Sequence, residues 1–359
     1  MKSIKFDKSG ASEFSNILHS RVNDYFKKTN QNKFGDRKMI VKTVFMLSVF
    51  LIPLVILSSG IVTSVWLLFM LYIVSGLGMA GVGMGVMHDA IHGSYSKNPV
   101  INKYMGYTMN LIGANAGVWK IQHNVLHHTY TNIDHGDDDI NAPFFLRFSP
   151  NAKRYWIHRF QYLYIWFFYC LSTVSWITSK DFVRATRYKN MGFYNEGGSF
   201  AKEILKIAAW KVFYYSYALV LPLIMIPLPA GIIILAFFSM HFVTGLCISL
   251  VFQTAHILSD TTFPEPDEKG VISNEWIAHQ LATTSNYAPK SKIFSWLIGG
   301  LNFQVEHHLF PNICHVHYPA LSRIVSQTAQ EFEVPYLEKK TFMMALEDHV
   351  KMLRQLGRA

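Results

Sequence analysis

The sequence predicts an all-α integral membrane protein with four transmembrane helices in two hairpins, interfacial helices and a cytoplasmic helical cap. Half of its 359 residues are hydrophobic and only 16% are charged, against about a quarter in soluble proteins. Two runs, Thr43 to Met87 and Val212 to Ser259, contain no Asp, Glu, Lys or Arg. Each run is long enough for two passes through a hydrocarbon core of about 30 Å.

Breaks within the two runs define the four spans. The first run turns at Ser58-Ser59-Gly60, and the second turns at Ile226-Pro-Leu-Pro-Ala-Gly231. The predicted transmembrane helices are therefore about 40–58, 62–86, 206–226 and 232–255. Both turns are uncharged, so the positive-inside rule puts the termini and the long connecting segments in the cytoplasm. Close packing is expected at the end of the second span, which is rich in glycine: Gly76, Gly78, Gly81, Gly83 and Gly85.

A third apolar run, Phe160 to Ser179, is also free of charge. If it crossed the membrane, histidine clusters on either side of it would face opposite compartments. Its Tyr and Trp residues prefer the headgroup level, so we predict an interfacial helix. The same reasoning makes Val100 to Val118 a re-entrant or interfacial segment.

Polar terminal segments are predicted on both sides of a single large domain. Residues 1–38 are predicted to form a cytoplasmic amphipathic arm at the membrane surface, without a signal peptide. Residues 39–340 form the main domain, with an amphipathic helix at about 319–332, and residues 341–359 form a cytoplasmic tail. The net charge of +10 suits an acidic partner or an anionic lipid surface. No nucleic-acid motif is present.

Three histidine clusters follow the predicted spans. They are HDAIH at 88–92, HNVLHH at 123–128 and QVEHH at 304–308. In the first two, histidines four residues apart share one helix face. His128 and His308 could serve a second ion from the same elements, and His256 lies at the cytoplasmic end of the fourth span. The eight imidazoles, with the amide of Gln304 nearby, suit two metal ions: His88, His92, His123, His127, His128, His256, His307 and His308.

The ligand type narrows the choice of metal. Imidazole suits iron, zinc, copper and nickel, whereas three scattered cysteines argue against a thiolate site. Zinc remains open, and iron is favoured because a redox metal explains apolar surroundings beside a basic face. Asp89 and Glu306 are candidate acceptors for imidazole N–H groups, and Gln253 is a further residue near the metals. The acidic run 134–139 either supports the second cluster or forms a solvated loop.

HDAIH, HNVLHH and QVEHH, in this order around two hydrophobic hairpins, resemble the three histidine boxes of membrane fatty acyl desaturases. The resemblance covers about residues 40–340 and extends to Trp119, HHTYTN and HHLFPNICHVHYPAL. It implies a di-iron centre that activates O2 and removes two hydrogens from adjacent methylenes of a long acyl chain. The implied iron ligands are the seven box histidines and His256. Gln304 stands where many members carry histidine and is typical of the front-end group.

The resemblance also sets expectations for partners and location. Front-end members often carry a fused cytochrome b5 domain marked by HPGG, and this sequence has none. Electrons are therefore expected from an external ferredoxin or cytochrome b5. The acyl chain could arrive on coenzyme A, a carrier protein or a membrane lipid. The expected location is a bacterial inner membrane, with the endoplasmic reticulum as the alternative.

Two other functions remain open at the level of sequence. A hydroxylase of fatty acyl, sphingoid or carotenoid substrates would use the same ligands, and a non-catalytic receptor or metal-binding scaffold would keep the fold alone. His19, His158 and His349 are expected at the surface. His241 lies too deep in the fourth span for the cap, and His279, His315 and His317 lie near the third box without a predicted ligand role.

Overall fold

A computed structural model describes residues 4–7, 13–194 and 199–358, and these residues are mostly helical. The chain divides into two compact units. The first unit contains residues 1–35, 122–165 and 251–359, and the second contains residues 36–121 and 166–250. The histidines of the second and third boxes and His256 belong to the first unit, whereas His88 and His92 belong to the second.

Four helices among the described residues are long and apolar enough to cross a membrane. They span Arg37–Ser58, Val65–Ile91, Ser199–Met225 and Ala230–His256. The prediction of four helices of membrane-spanning length and composition is confirmed. The first helix begins three residues before its predicted start because the Asp36 carboxylate accepts hydrogen bonds from the backbone N–H groups of Lys38 and Met39, which caps the helix.

The second unit also contains shorter helical pieces. Val100 to Val118 falls in three short helices. Phe160 to Ser179 falls mainly in the helix Gln161–Ser175, which is not among the four candidate spans. The interfacial position of both segments stays a prediction. The remaining bounds are Pro99–Gly106, Thr108–Leu111, Ala116–Lys120, a π-helix at Trp176–Lys180 and Asp181–Asn190. A π-helix at Ser216–Val220 lies inside the third span.

Glycine permits the close approach of the first two spans. A Cβ atom on Gly78 would lie 2.3 Å from the backbone nitrogen of Phe50. Ser75, one turn earlier, donates its hydroxyl to the Phe50 carbonyl at 2.8 Å. Thr244 likewise donates to the Gly76 carbonyl at 2.8 Å. Small residues therefore bring backbones together where lipid offers no hydrophobic driving force.

A buried ion pair joins the middle of the third span to the start of the helix Asp181–Asn190. The Lys211 ammonium lies 2.7 Å from a carboxylate oxygen of Asp181, and both side chains are less than a tenth exposed. Lys211 also donates to the carbonyls of Gly113 and Trp176. All three donor positions of the ammonium are thereby used, as a buried charge requires.

The first unit contains helices and, in the described ranges, two short parallel strand pairs. Lys5–Phe6 pairs with Val271–Ile272, and Ser285–Tyr287 pairs with Leu337–Lys339. The expectation of an all-α fold is to that extent wrong, because segments far apart in sequence satisfy their backbone groups as strands. The helical bounds are Glu13–Thr29, Ile121–His127 (π), His128–Tyr130, Trp156–Phe160 (3-10), Trp276–Thr283, Lys292–Leu297, Gln304–Leu309, His315–His317 (3-10), Tyr318–Glu331 and Phe342–Leu356.

The helices Glu13–Thr29 and Phe342–Leu356 both bury side chains within the first unit. Phe14, Leu18 and Val22 of the helix Glu13–Thr29 join a buried apolar cluster with Leu321 and Val325 of the predicted amphipathic helix. The C-terminal helix buries Ala345, His349, Met352, Leu353 and Leu356. An amphipathic pattern shows that one face is covered, but it does not distinguish a membrane surface from a protein core.

Candidate metal centre

The second histidine box lies on a π-helix, Ile121–His127. A π-helix has hydrogen bonds between residues five apart, and it is frequent at functional sites. This wider turn brings His128 to the same side as His123, which an ordinary α-helix would not do. The Nε2 atoms of His123 and His128 lie 3.2 Å apart. The backbone geometry therefore supplies three converging imidazoles from one short segment.

His307 of the third box completes a triangle of ring nitrogens. Its Nε2 atom lies 2.9 Å from that of His128 and 3.4 Å from that of His123. Nitrogens bound to one metal at about 2.1 Å lie about 3.0 to 3.4 Å apart in octahedral or tetrahedral geometry. A single ring nitrogen either donates or accepts, so three mutual contacts cannot all be hydrogen bonds. The triangle fits a metal ion.

A second group of nitrogens adjoins the first. One ring nitrogen from each of His127, His256 and His308 lies within 4.8 Å of the other two. All three side chains are buried. The Nε2 atom of His127 has no hydrogen-bond partner in the described part of the chain, and a buried polar atom of this kind fits a bound ligand.

From the sequence, His128 and His308 are predicted to serve a second ion together, and the structure brings both near His307: one ring nitrogen from each of the three lies within 4.8 Å of the other two. The Nε2 atoms of His128 and His307 lie 2.9 Å apart. His308 also belongs to the group of His127 and His256. The π-helix turns neighbouring histidines in different directions, which spacing alone does not reveal.

In four of the six rings the opposite nitrogen, Nδ1, lies within hydrogen-bond distance of a polar group. His127 Nδ1 lies 3.0 Å from Asp137, His308 Nδ1 lies 2.8 Å from the Gln280 amide oxygen, and His256 Nδ1 lies 3.2 Å from the Thr283 carbonyl. His307 Nδ1 lies 3.2 Å from the Tyr318 hydroxyl, and His123 Nδ1 lies 3.8 Å from Asp139. Such anchors orient metal-binding imidazoles and select the tautomer. They leave Nε2 as the ligand atom.

Charge strengthens the anchor of His127. Burial lowers the pKa of His127, but the carboxylates of Asp137 and Asp139 outweigh that effect and raise it to about 9. The carboxylate of Asp137 is itself buried and also accepts the backbone N–H groups of Asn132 and Asp139. Of the two interpretations of the acidic run, the contacts favour support of the second box over a solvated loop.

Gln280 and Thr283 were not predicted, and both lie on one helix, Trp276–Thr283. Gln280 accepts from the His308 ring and donates to the His128 carbonyl at 3.0 Å. Trp276 donates to the same carbonyl at 3.2 Å. No charge or motif marks this helix, so the sequence offered no signal for its role. Tyr318 lay within the quoted motif HVHYPAL.

The first box belongs to the second unit. His88 lies in the helix Met87–Ile91, which extends the second span, and His92 caps its end. Their ring centroids are 4.9 Å apart, and the Trp119 ring lies 5.5 Å from His88. His88 and His92 therefore lie on the same side of this helix, as their spacing predicts.

The other predicted residues differ in their surroundings. Gln304 is fully buried beside the His256 ring, and its amide atoms make no hydrogen bond of normal geometry in the described ranges. Glu306 does not act as the expected imidazole acceptor: its carboxylate accepts from Asn286 at 2.8 Å and Tyr336 at 2.9 Å. Burial raises the pKa of Glu306 to about 7. Asp89 is buried and Gln253 is half-buried.

Two of the three histidines expected at the surface are buried. The His158 ring bonds to the Phe144 carbonyl, and the His349 ring bonds to the Ile257 carbonyl. The prediction that both lie at the surface was wrong because each ring is buried against another segment, whose backbone carbonyl it binds. His19 is exposed. His241 bonds to the Tyr214 hydroxyl at 2.7 Å, and His279 packs on the Phe6 ring.

Comparison with known proteins matches residues 64–340 to a family model described as fatty acid desaturase. The chain is 34% identical to the sn-1 linoleoyl-lipid 6-desaturase of Synechocystis sp. over 352 residues, which are 96% of each chain. It is 34% identical to the enzyme of the same name from Arthrospira platensis over 96% of this chain and 92% of that one. The acyl-lipid (8-3)-desaturase of Physcomitrium patens is 34% identical over 96% and 72% respectively. The matched region includes all three histidine boxes.

Proposed function

Since this chain belongs to the fatty acid desaturase family and is an oxidoreductase that desaturates fatty acyl chains, we propose that it acts as a front-end enzyme on membrane lipids. The new double bond would lie between an existing one and the carboxyl end of the acyl chain. The observation that carries the proposal is Gln304, buried at the centre where many desaturases carry histidine. Relatives named as sn-1 linoleoyl-lipid 6-desaturases support a lipid-bound, already unsaturated substrate.

The proposed cofactor is a pair of iron ions. The ligands would be His88, His92, His123, His127, His128, His256, His307 and His308. When bound, the two irons supply O2 activation and removal of two hydrogens from adjacent methylenes, with two electrons from an external ferredoxin or cytochrome b5. Imidazole nitrogen without thiolate suits iron, although the same set would also accept zinc on ligand type alone.

The chain's own residues do the positioning. Asp137, Gln280 and the Thr283 carbonyl hold protons at the Nδ1 atoms of His127, His308 and His256, so that each Nε2 remains a ligand. All three imidazoles are buried, which keeps water from competing for the bound ions. Gln304, which is buried beside the His256 ring, would contact the acyl chain or O2 there.

The proposed membrane arrangement follows from the four spans. They would form two hairpins, with both termini and the helical cap on the cytoplasmic side. A bacterial inner membrane is the proposed location, with the endoplasmic reticulum as the alternative.

The test is the fatty-acid profile of a host that expresses the protein and is supplied with saturated, mono-unsaturated and di-unsaturated chains. Gas chromatography with mass spectrometry of each lipid class would reveal a new double bond, its position and its carrier. We expect a di-unsaturated lipid-bound chain to gain a double bond on its carboxyl side. His307→Ala should abolish the product, and His19→Ala, at an exposed site, should not.

Other products would separate the parts of the proposal. A double bond on the methyl side would contradict the front-end assignment but not desaturation. Product found first on coenzyme A would contradict the lipid carrier. A gain of one oxygen in place of the loss of two hydrogens would indicate a hydroxylase.

A further inference from the structure

An exposed apolar face lies along the segment from Trp156 to Leu163. The 3-10 helix Trp156–Phe160 runs directly into the helix Gln161–Ser175. Trp156 is 80% exposed, Phe160 44% and Leu163 60%. These side chains form a short row of exposed apolar groups within eight consecutive residues. A row of large apolar groups facing water is costly and indicates a surface that something apolar covers.

This segment cannot turn its apolar side chains inward, because its other side is tied to the protein. His158 is buried, accepts from the backbone N–H of Tyr155 and donates to the Phe144 carbonyl at 2.8 Å. Gln161 donates to the carbonyls of Arg147 and Leu353 at 3.1 and 3.0 Å. The exposed row is therefore a fixed feature of this unit.

Arginines border the row. Arg154 and Arg159 line a cavity of about 320 Å³ together with Tyr155, Trp156 and Phe160. Within the ranges that the structure describes, neither arginine has an acidic group within 4.0 Å. Two guanidinium groups without carboxylate partners are arranged to receive an anion, and guanidinium geometry matches phosphate.

The positive charge continues onto the neighbouring C-terminal helix. Lys351, Arg354 and Arg358 line a second cavity of about 280 Å³ together with one acidic residue, Glu347. The Arg354 guanidinium lies 4.4 Å from the centroid of the Tyr162 ring, within the range of a cation–π contact. Basic residues beside the exposed apolar side chains therefore include Arg354 as well as Arg154 and Arg159.

We propose that this surface binds the phosphate of an anionic phospholipid at the membrane surface. Arg154 and Arg159 would contact the phosphate, while Trp156, Phe160 and Leu163 enter the boundary between headgroups and acyl chains. Tryptophan prefers this depth, and basic side chains at its edge reach anionic headgroups. An acidic electron donor would also meet the arginines, but it leaves the exposed row of Trp, Phe and Leu unexplained. The site goes beyond the proposed function, since it needs no role for the lipid as substrate.

The first test uses native mass spectrometry of the purified full-length protein with equal amounts of phosphatidylglycerol and phosphatidylcholine. We expect the wild-type protein to retain phosphatidylglycerol in preference. The double variant R154Q/R159Q should lose that preference by about tenfold or more, given the usual contribution of two basic groups near anionic lipid. R323Q removes a charge at another exposed position and should behave as wild type.

The second test needs no change at the arginines and so does not depend on the folding of the double variant. In nanodiscs, brominated phosphatidylglycerol should quench the Trp156 contribution, measured as the difference between wild type and W156F, more than brominated phosphatidylcholine does. Equal retention of phosphatidylglycerol by R154Q/R159Q, or equal quenching by both lipids, would overturn the proposal. A third result would also overturn it: R154Q/R159Q retains lipid as the wild-type protein does but accepts electrons from an acidic ferredoxin more slowly. That result would assign the surface to the electron donor.

Discussion

The Nδ1 atom of His308 lies 2.8 Å from the amide oxygen of Gln280. The same amide donates through its nitrogen to the carbonyl of His128, so one uncharged side chain orients one proposed ligand and holds the backbone of another. Gln280 is buried, and water cannot readily replace either hydrogen bond.

Replacement of Gln280 by leucine should weaken iron binding. Q280L removes the acceptor of the His308 N–H at nearly constant size, and loss of such an outer partner typically lowers metal affinity about 10- to 100-fold. Q280E keeps an acceptor and should retain more iron than Q280L. The measurement is iron per chain after titration with a chelator, and Q327L is the control at an exposed glutamine. Equal resistance of Q280L and wild type to the chelator would refute this role.

Asp137→Asn should also lower iron retention and activity. The variant keeps the size of the side chain but removes the charge that holds a proton on His127 Nδ1. We expect a loss of affinity of about 10- to 100-fold. D139N should have a smaller effect because Asp139 lies 3.6 Å from the same nitrogen, beyond a hydrogen bond. D24N, at an exposed position, is the control, and a larger loss in D139N than in D137N would reverse the assignment.

Lys211→Met should destabilise the protein by about 3–5 kcal/mol, because it leaves the buried Asp181 carboxylate without its cation. The matched control is K206M, which breaks an ion pair whose lysine is 66% exposed and should cost about 0–1 kcal/mol. Unfolding in detergent micelles measures both. The double variant K211M/D181L should recover part of the loss, and a K211M protein as stable as K206M would show that the pair contributes little.

Gly78→Ala should destabilise the packing of the first two spans. Its new methyl group would lie 2.3 Å from the Phe50 nitrogen, so the helices must separate, at a cost of about 1–3 kcal/mol or more. Gly231→Ala is the matched control because no atom lies within 4 Å of the added methyl group. Thermal unfolding of the two variants should differ by several degrees, with G231A close to wild type. A G78A protein that melts with G231A would mean that the spans adjust without cost.

Stability should decrease between pH 6.5 and about pH 4, in part through His349. Burial lowers the pKa of His349 to about 4, although the Ile257 carbonyl and Asp348 both act to raise it. The unfolded chain, with a pKa of about 6.5, then binds a proton that the folded chain does not, so the stabilisation is complete above pH 6.5 and lost as the pH falls. This group contributes at most about 3 kcal/mol.

The measurement is the free energy of unfolding at pH 7 and pH 5 for wild type and H349N, whose amide can still donate to the Ile257 carbonyl. H349N should lose less stability on acidification than wild type. H19N, at an exposed site, should keep the wild-type dependence. Parallel pH dependence in H349N and wild type would exclude His349 as a contributor.

Local sequence patterns were sufficient to locate the four candidate spans and the histidine boxes. A charge-free run of this length must leave water, so hydropathy alone located all four candidate helices to within a few residues, except for the start of the third. The spacing of His123 and His127 likewise identified the candidate centre. These properties belong to segments of fewer than about 30 residues, and the free energy that determines them is local.

The tertiary structure decided which groups meet. The grouping of His127 with His256 and His308, and the anchoring of His308 by Gln280, join residues separated by 28 to 181 positions. The amphipathic pattern of Glu13–Thr29 predicted one buried face, but only the fold assigned that face to the helix Tyr318–Glu331 and not to a membrane surface. His158 and His349, polar by composition, are buried because backbone carbonyls of distant segments accept their protons. Sequence periodicity determines which side of an element is covered, whereas the partner on that side depends on packing energies summed over segments far apart in the chain.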